Sequence, residues 1–519
     1  MHGLDRRKGV AALVPAAAAA ALIALTLVQP GHATPRATNA TTCTQHGTVT
    51  FGVAGGAIPA LDPNTIASAA QWTIQPLLYN GLTKYAHDGS VLPDLAVRWK
   101  HSADLKTWWF FLRHGVKYAN GRPFTAKDVV ANVTRVLDPA TASQARGNIK
   151  DVQSVRAIGD YEVRFKTGSP SSILPDQVFL TKMSDVANIA SKDPKLAGNG
   201  TGPYQVASFT PDQTLSLVPN PNYWGPKPCF SQINFVREPD PTSMVTAFTS
   251  GKLDLAFQVP TSAVAKIQSD KNASILKPTT ISSVQAWEVD TTSPPFNNVV
   301  ARQALSYAID RATMVKVAFA GQATPTLTND LVNPANPAFD KKLTSYAFNL
   351  DKAKQLFTQA GVQPGTTFTF LTDGTPEWTT MGEILQQDLQ KIGLNLTISQ
   401  KDESTYLDAF YPPGKSYPGV IVANFLSLQP NPVLTLAFPT SGKCECNWNN
   451  ATYDGLLSKA FGSTNRQAIV NQMQAMVSTQ APVFTIASQT NIIAVSNKIK
   501  GAWQDPRGNL HLEDAQLTG

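Results

Sequence analysis

Leu92-Pro-Asp-Leu-Ala-Val-Arg-Trp99, Asp104-Leu-Lys-Thr-Trp108, Leu112-Arg-His-Gly-Val-Lys-Tyr118 and Asn120-Gly-Arg-Pro-Phe-Thr-Ala-Lys-Asp-Val129 form the stretch on which the fold turns. Residues 102–118 have a polar turn, an aromatic-rich run and Gly115 at the next turn, the pattern of a β-hairpin. Thr125 with Asp128 three positions on, ahead of Val129, Val130 and Val133, marks a helix start. Working outward, Val49–Val53 alternates like a strand and runs into Ala54-Gly55-Gly56, and Tyr161–Lys166 alternates after Gly159-Asp160. Beyond residue 280 the spacing is helical over 299–319, over 351–360 up to Gly361, and over 384–392 up to Gly393, with a strand at 394–399 behind it. Strands and helices are mixed and no fixed period repeats, so the chain is α/β and neither solenoid nor propeller.

The 519 residues exceed what one hydrophobic core supports, so two or more domains are expected. A 42% hydrophobic and 15% charged composition excludes collagen, coiled coil and wholesale disorder. The formal charge of +7 is spread over scattered Lys and Arg with no basic block, so no nucleic-acid partner is expected.

Arg6, Arg7 and Lys8 precede an apolar run from Val10 to about Val28, and Gly31-His32-Ala33 offers small residues to a signal peptidase. The expectation is an export signal over 1–33 and a flexible leader over 34–46. An uncleaved membrane anchor is the alternative, opposed by Pro15 and the weak hydrophobicity of alanine. Removal of 1–33 leaves a charge of +5.

Catalytic motifs are nearly absent from the sequence. There is no His-Glu-x-x-His, no Gly-x-Ser-x-Gly, no Gly-x-x-x-x-Gly-Lys and no dinucleotide fingerprint, and no histidine lies between His114 and His511. His101 and His114 flank the hairpin and read as surface residues. A pair of carboxylates distant in sequence leaves no motif, so a glycosidase is the enzyme alternative.

Of the three pairings open to Cys43, Cys229, Cys444 and Cys446, the favoured one joins 43 with 229 and 444 with 446, the first bridge pinning the leader to a strand region. A Cys-x-Cys metal site lacks nearby histidine, and no metal or cofactor is expected.

The opening stretch, with Leu78-Tyr-Asn-Gly-Leu-Thr, Gly200-Thr-Gly-Pro-Tyr, Asn220-Pro-Asn-Tyr-Trp-Gly, Gly251-Lys-Leu-Asp, Ala301-Arg-Gln-Ala-Leu-Ser-Tyr-Ala-Ile-Asp-Arg, Asp351-Lys-Ala-Lys-Gln-Leu-Phe and Leu385-Gln-Gln-Asp-Leu-Gln-Lys-Ile-Gly, resembles the extracellular solute-binding proteins of family 5, which serve ABC importers of peptides, nickel and opines. The resemblance spans about 47–515. It implies a two-lobed, periplasmic-binding-protein-like fold of class II, family 5 type, with a hinge and an inter-lobe ligand cleft. Lobe I would take 47–279, including the family's extra subdomain, lobe II 280–484, and 485–519 would return to lobe I. Trp99, Trp108 and Trp224 read as core aromatics.

The same resemblance implies an exported, monomeric, non-enzymatic protein that hands a peptide, or a similarly extended polar solute, to an ABC permease at the outer side of the cytoplasmic membrane. Ala40-Thr-Thr-Cys43 does not match a lipid-anchor motif. Dipeptide-binding relatives pair the peptide ammonium with an Asp in a loop that here reads Phe425-Leu-Ser-Leu-Gln-Pro-Asn-Pro432, and the Arg expected near Thr372–Met381 is missing. An ammonium buried without a counter-ion is costly, so longer peptides are expected. Asn431 reads as a pocket residue, with a turn residue before Pro432 as the alternative. By position, Gly55, Gly56, Trp72, Trp287, Trp378, Tyr406, Asn424, Gln429 and Asn431 are the expected contacts. Alternatives are a nickel chelate or other small solute on the same fold, and a peptide sensor or chaperone without a transporter.

Overall fold

The computed structural model describes residues 43, 47–53, 58, 60–65, 69–277, 283–402, 405–406, 418–440, 444, 446–489 and 491–518. The expected signal over 1–33, the leader apart from Cys43, and Gly55 and Gly56 lie outside the described residues.

Two sheets organise the chain. The first has seven strands in the order Ala273–Ile275, Ile493–Ser496, Leu255–Phe257, Thr48–Val53, Gln232–Arg237, Thr214–Pro219 and Tyr204–Thr210. Val49, Phe51 and Val53 are buried against Phe235 and Phe257, as the alternating pattern requires. The second has six, in the order Thr324–Pro325, Val483–Ser488, Ser283–Val289, Val420–Ser427, Thr367–Thr372 and Asn395–Gln400. All seven residues of Ser283–Val289 are buried, because helices cover both faces of that sheet. Trp287 and Val289 face a core completed by helices Val299–Ala308, Arg311–Ala318, Leu350–Gln359 and Pro376–Lys391. Val284 and Ala286 face one completed by Pro432–Leu436, Ala451–Phe461 and Gln467–Gln480. The expected return to lobe I at 485 falls inside Val483–Ser488, which stays in the second sheet, so the crossing comes at 489–492.

A four-stranded sheet of Ala96–His101, Thr107–Leu112, Glu162–Thr167 and Val152–Ala157 carries the opening stretch, with helix Ala126–Leu137 on it. The backbone N–H of Thr125 donates to the Asp128 carboxylate at 2.8 Å, closing the helix start. Trp108 is buried, and Trp99 and Trp224 pack against the same core. His101 is not a surface residue as the sequence suggested: it is 6% exposed and lies against Trp108, its partner across the strand pair. The helix expected over 299–319 is two helices, because Asp310 leaves the helical path and caps the second through the N–H of Thr313. At Gly200 a Cβ would sit 1.9 Å from the carbonyl oxygen of Leu78, so this glycine is required by close backbone approach.

Cys43 and Cys229 are bridged across a Cα separation of 5.3 Å, tying the leader to the residues before Gln232–Arg237. Cys444 and Cys446 are bridged to each other. Among the described residues no helix is long and apolar enough to cross a membrane.

Candidate functional site

The sheets meet where the chain crosses between them. Ser283, the first residue of its strand, donates its hydroxyl to the carbonyl of Arg507 at 3.2 Å, and Thr261 of the first lobe donates to the Glu377 carboxylate at 2.9 Å. A third contact joins Ser172 to the second lobe, through its N–H to the Phe461 carbonyl at 2.7 Å and its hydroxyl from Arg466 at 2.9 Å. Gly89 lies under Pro430 and Pro506 with φ +81°, and a Cβ there would fall 2.9 Å from Pro430. These contacts join the two lobes.

On the second-lobe side, Gln285 accepts from the Trp378 indole N–H and donates to Gln489, both at 2.8 Å. Phe425, the cross-strand partner of Gln285, is 37% exposed on the same face of the sheet. Pro376 and Glu377 open a helix within the stretch 372–381, which is what presents Trp378 to Gln285. Gln285 and Trp378 are buried against each other, while Gln489 is half-buried and Phe425 exposed, so the amide chain reaches solvent at Gln489 beside the Phe425 ring.

The expected contacts separate in the structure. Trp378 and Tyr406 come together, ring centroids 6.0 Å apart, and the Tyr406 hydroxyl donates to the Ala423 carbonyl. Trp287 is corrected: it is fully buried, edge-on to Phe370 in the lobe core, and has no surface to offer a ligand. Asn424, half-buried, projects from the opposite face of the sheet to Gln285 and donates to Glu288 at 2.7 Å, so the structure does not bring it together with Trp378. Asn431 is 7% exposed and acts as a helix cap, its side-chain oxygen accepting from Val433 N–H at 3.0 Å while it also bonds Asp176 of the first lobe. That is the turn alternative, with an added inter-lobe role. Burial pushes the Asp176 carboxyl up to about 6, against the opposing pull of the Asn431 hydrogen bond and Arg466. Gln429 lies beside the Pro430 contact, and its side-chain oxygen is buried without a hydrogen-bond partner.

On the first-lobe side Trp72 lies under the guanidinium of Arg507, whose central carbon is 4.5 Å from the ring. Sequence reading named Trp72 and missed Arg507. The signal was available, because Arg507 is the one arginine of residues 485–519 and sits in an Asp-Pro-Arg-Gly turn. Trp72 and Tyr85 also border a cavity of about 250 Å³ lined by first-lobe residues, among them Lys84, Lys182, Trp503 and Glu513. His511 bonds Glu513 at 2.7 Å and approaches Asp505 at 3.4 Å. Burial opposes its charge, but the two carboxylates prevail and raise it to about 9.

A metal finds little here. Among the described residues, ligand atoms of Glu288, Cys444 and Cys446 lie within 4.8 Å of one another, but both sulfurs are spent on their bridge.

The family model described as bacterial extracellular solute-binding proteins, family 5 (middle), matches residues 90–431. The chain belongs to that family. This family 5 protein is 29% identical over 360 residues to the nickel-binding periplasmic protein of Escherichia coli K12, covering 64% of this chain and 68% of the relative. It is 26% identical over 476 residues to heme-binding protein A of Haemophilus influenzae, covering 83% and 85%. Among solved structures, the ABC transporter substrate-binding protein CtaP of Listeria monocytogenes superposes with a TM-score of 0.81 at 22% identity, covering 92% of this chain and all of that one. The two-lobed α/β fold follows, and family 5 proteins bind solutes and are not enzymes.

Proposed function

We propose that this family 5 protein captures peptides longer than dipeptides in the inter-lobe cleft and delivers them to an ABC permease. The observation that carries the reading is the amide chain from buried Trp378 and Gln285 out to half-buried Gln489, with the exposed ring of Phe425 beside it on the second sheet. A peptide backbone supplies N–H and C=O groups that such amides satisfy without a charge, and its side chains stack on the rings. The loop Phe425–Pro432 carries no acid to pair with a peptide ammonium, which supports the preference against dipeptides. Export to the outer side of the membrane is part of the proposal and agrees with the periplasmic or extracellular setting of relatives.

The nickel reading draws on the Escherichia coli relative. No histidine lies in residues 283–489, so imidazole from the second lobe cannot ligate a bare ion there, and a chelated metal is the form this cleft would accept. The test is thermal unfolding against pools of dipeptides, tri- to hexapeptides, and nickel with and without histidine. Ligand at about 100 times its dissociation constant stabilises by roughly 2.7 kcal/mol, a shift of several degrees. A shift with longer peptides alone is expected. A response confined to nickel complexes would remove the peptide assignment.

A further inference from the structure

We infer that Arg507, held over Trp72, is an anion clamp, and that the ligand of this cleft carries a carboxylate which docks on it. The inference rests on the cleft being the solute site and adds the chemical class of one end of the solute.

Two features of Arg507 point this way. Its Nε and Nη1 atoms are buried and make no hydrogen bond, an arrangement that costs free energy until an acceptor arrives. Its nearest acid, Asp505, makes no ion pair with it, because the Asp505 carboxylate is already taken by the backbone N–H groups of Arg507 and Asn509, by the Asn509 amide and by His511. Asp505 still favours the charge on Arg507 from close by, but burial outweighs it and holds the guanidinium below its usual range, with Nε and Nη1 left open to an acceptor. Trp72 covers one face of the guanidinium, and Tyr85 lies close enough to feel its charge. A guanidinium packed against an aromatic ring has less rotamer entropy left to lose, and its fork of N–H groups matches a carboxylate bidentately.

The position fits the cleft. The carbonyl of Arg507 receives the hydroxyl of Ser283, two residues before the Gln285 that anchors Trp378, so clamp and amide surface are set by one short segment of contacts. Pro506 packs at Gly89 with Pro430 of the second lobe. A solute spanning the lobes would meet the amides with its middle and Arg507 with its acidic end.

That carboxylate could be a peptide C-terminus or belong to a polycarboxylate metal chelate, and the experiment separates the two. Thermal unfolding and calorimetric titration of the exported protein are run with tri- to hexapeptides bearing free C-termini, the same peptides C-terminally amidated, and nickel citrate. The expected result is binding of the free acids, a loss of 10-fold or more on amidation, a comparable loss in Arg507→Gln, and partial recovery in Arg507→Lys. Arg507-dependent binding of nickel citrate alone would keep the clamp and overturn the peptide reading. Equal affinity for acids and amides in the wild type would overturn the clamp and leave the peptide reading standing, and that comparison needs no variant to fold. No response to any carboxylate probe would overturn the clamp.

Discussion

Asp330 gives the sharpest test of the physical account, because it needs no ligand. It is fully buried in the second lobe, and neither carboxyl oxygen has a hydrogen-bond partner of normal geometry, although the N–H groups of Leu331 and Val332 face it. Burial raises it from 3.8 to about 8, with Asp340 adding to the rise. The folded chain therefore keeps a proton that the unfolded chain releases, and stability falls as pH climbs through that window. At about 1.36 kcal/mol per pH unit, the loss is negligible near pH 4, about 4 kcal/mol at pH 7, and levels off above pH 8. Asp330→Asn keeps the shape and removes the titration. Urea unfolding at pH 7 should show the variant more stable by up to about 4 kcal/mol, with the difference closing by pH 4. Equal stability at pH 7, or a gain of the same size at both pH values, would show that Asp330 is not held as the neutral acid.

Three further outcomes are expected. His511→Gln should flatten the fall in stability between pH 6.5 and 9: a histidine raised to about 9 stabilises fully below 6.5 and loses that contribution, up to about 3 kcal/mol, as pH passes 9. Melting temperatures across that range decide it, and parallel curves would count against the Glu513 and Asp505 pairing. Gln285→Leu strands the Trp378 N–H and the Gln489 amide, so it should cost about 1–3 kcal/mol in urea unfolding and weaken ligand titrations; wild-type values for both would remove Gln285 from the site. Replacing Cys43 and Cys229 together by Ser opens a link across 186 residues and should cost about 2–5 kcal/mol by urea unfolding, whereas unchanged stability would mean the bridge is not formed.

The scaffold was readable in the sequence wherever local chemistry decides. The Thr125 to Asp128 cap, the alternation of Val49–Val53 and the stop at Gly361 are short-range patterns, and each appears as an element in the structure. The site was less readable because it depends on which face of a strand a residue occupies. Trp287 and Gln285 share a face, yet one is sealed in the core and the other stands at the hinge end, a distinction set by helix Pro376–Lys391 more than ninety residues away. Asn424, one register step from Phe425, is turned to the opposite side of the sheet. Asn431 looked like a departure from its relatives at a binding position. Its capping of Val433, two residues on, is the local turn reading before Pro432, whereas its bond to Asp176 is a long-range fact that spacing does not carry.

The first sheet has a consequence for the order of synthesis. Strand Ile493–Ser496 lies between Leu255–Phe257 and Ala273–Ile275, pairing with both, so those two strands have no shared neighbour until the last residues of the chain arrive. A ribosome delivers the second lobe complete while the first still shows open edges. Closure of the first sheet between those two strands comes with the C-terminal residues. Chains stopped at 489 should accordingly yield a protease-resistant second lobe and a digestible first, and equal resistance of both would separate folding from chain completion.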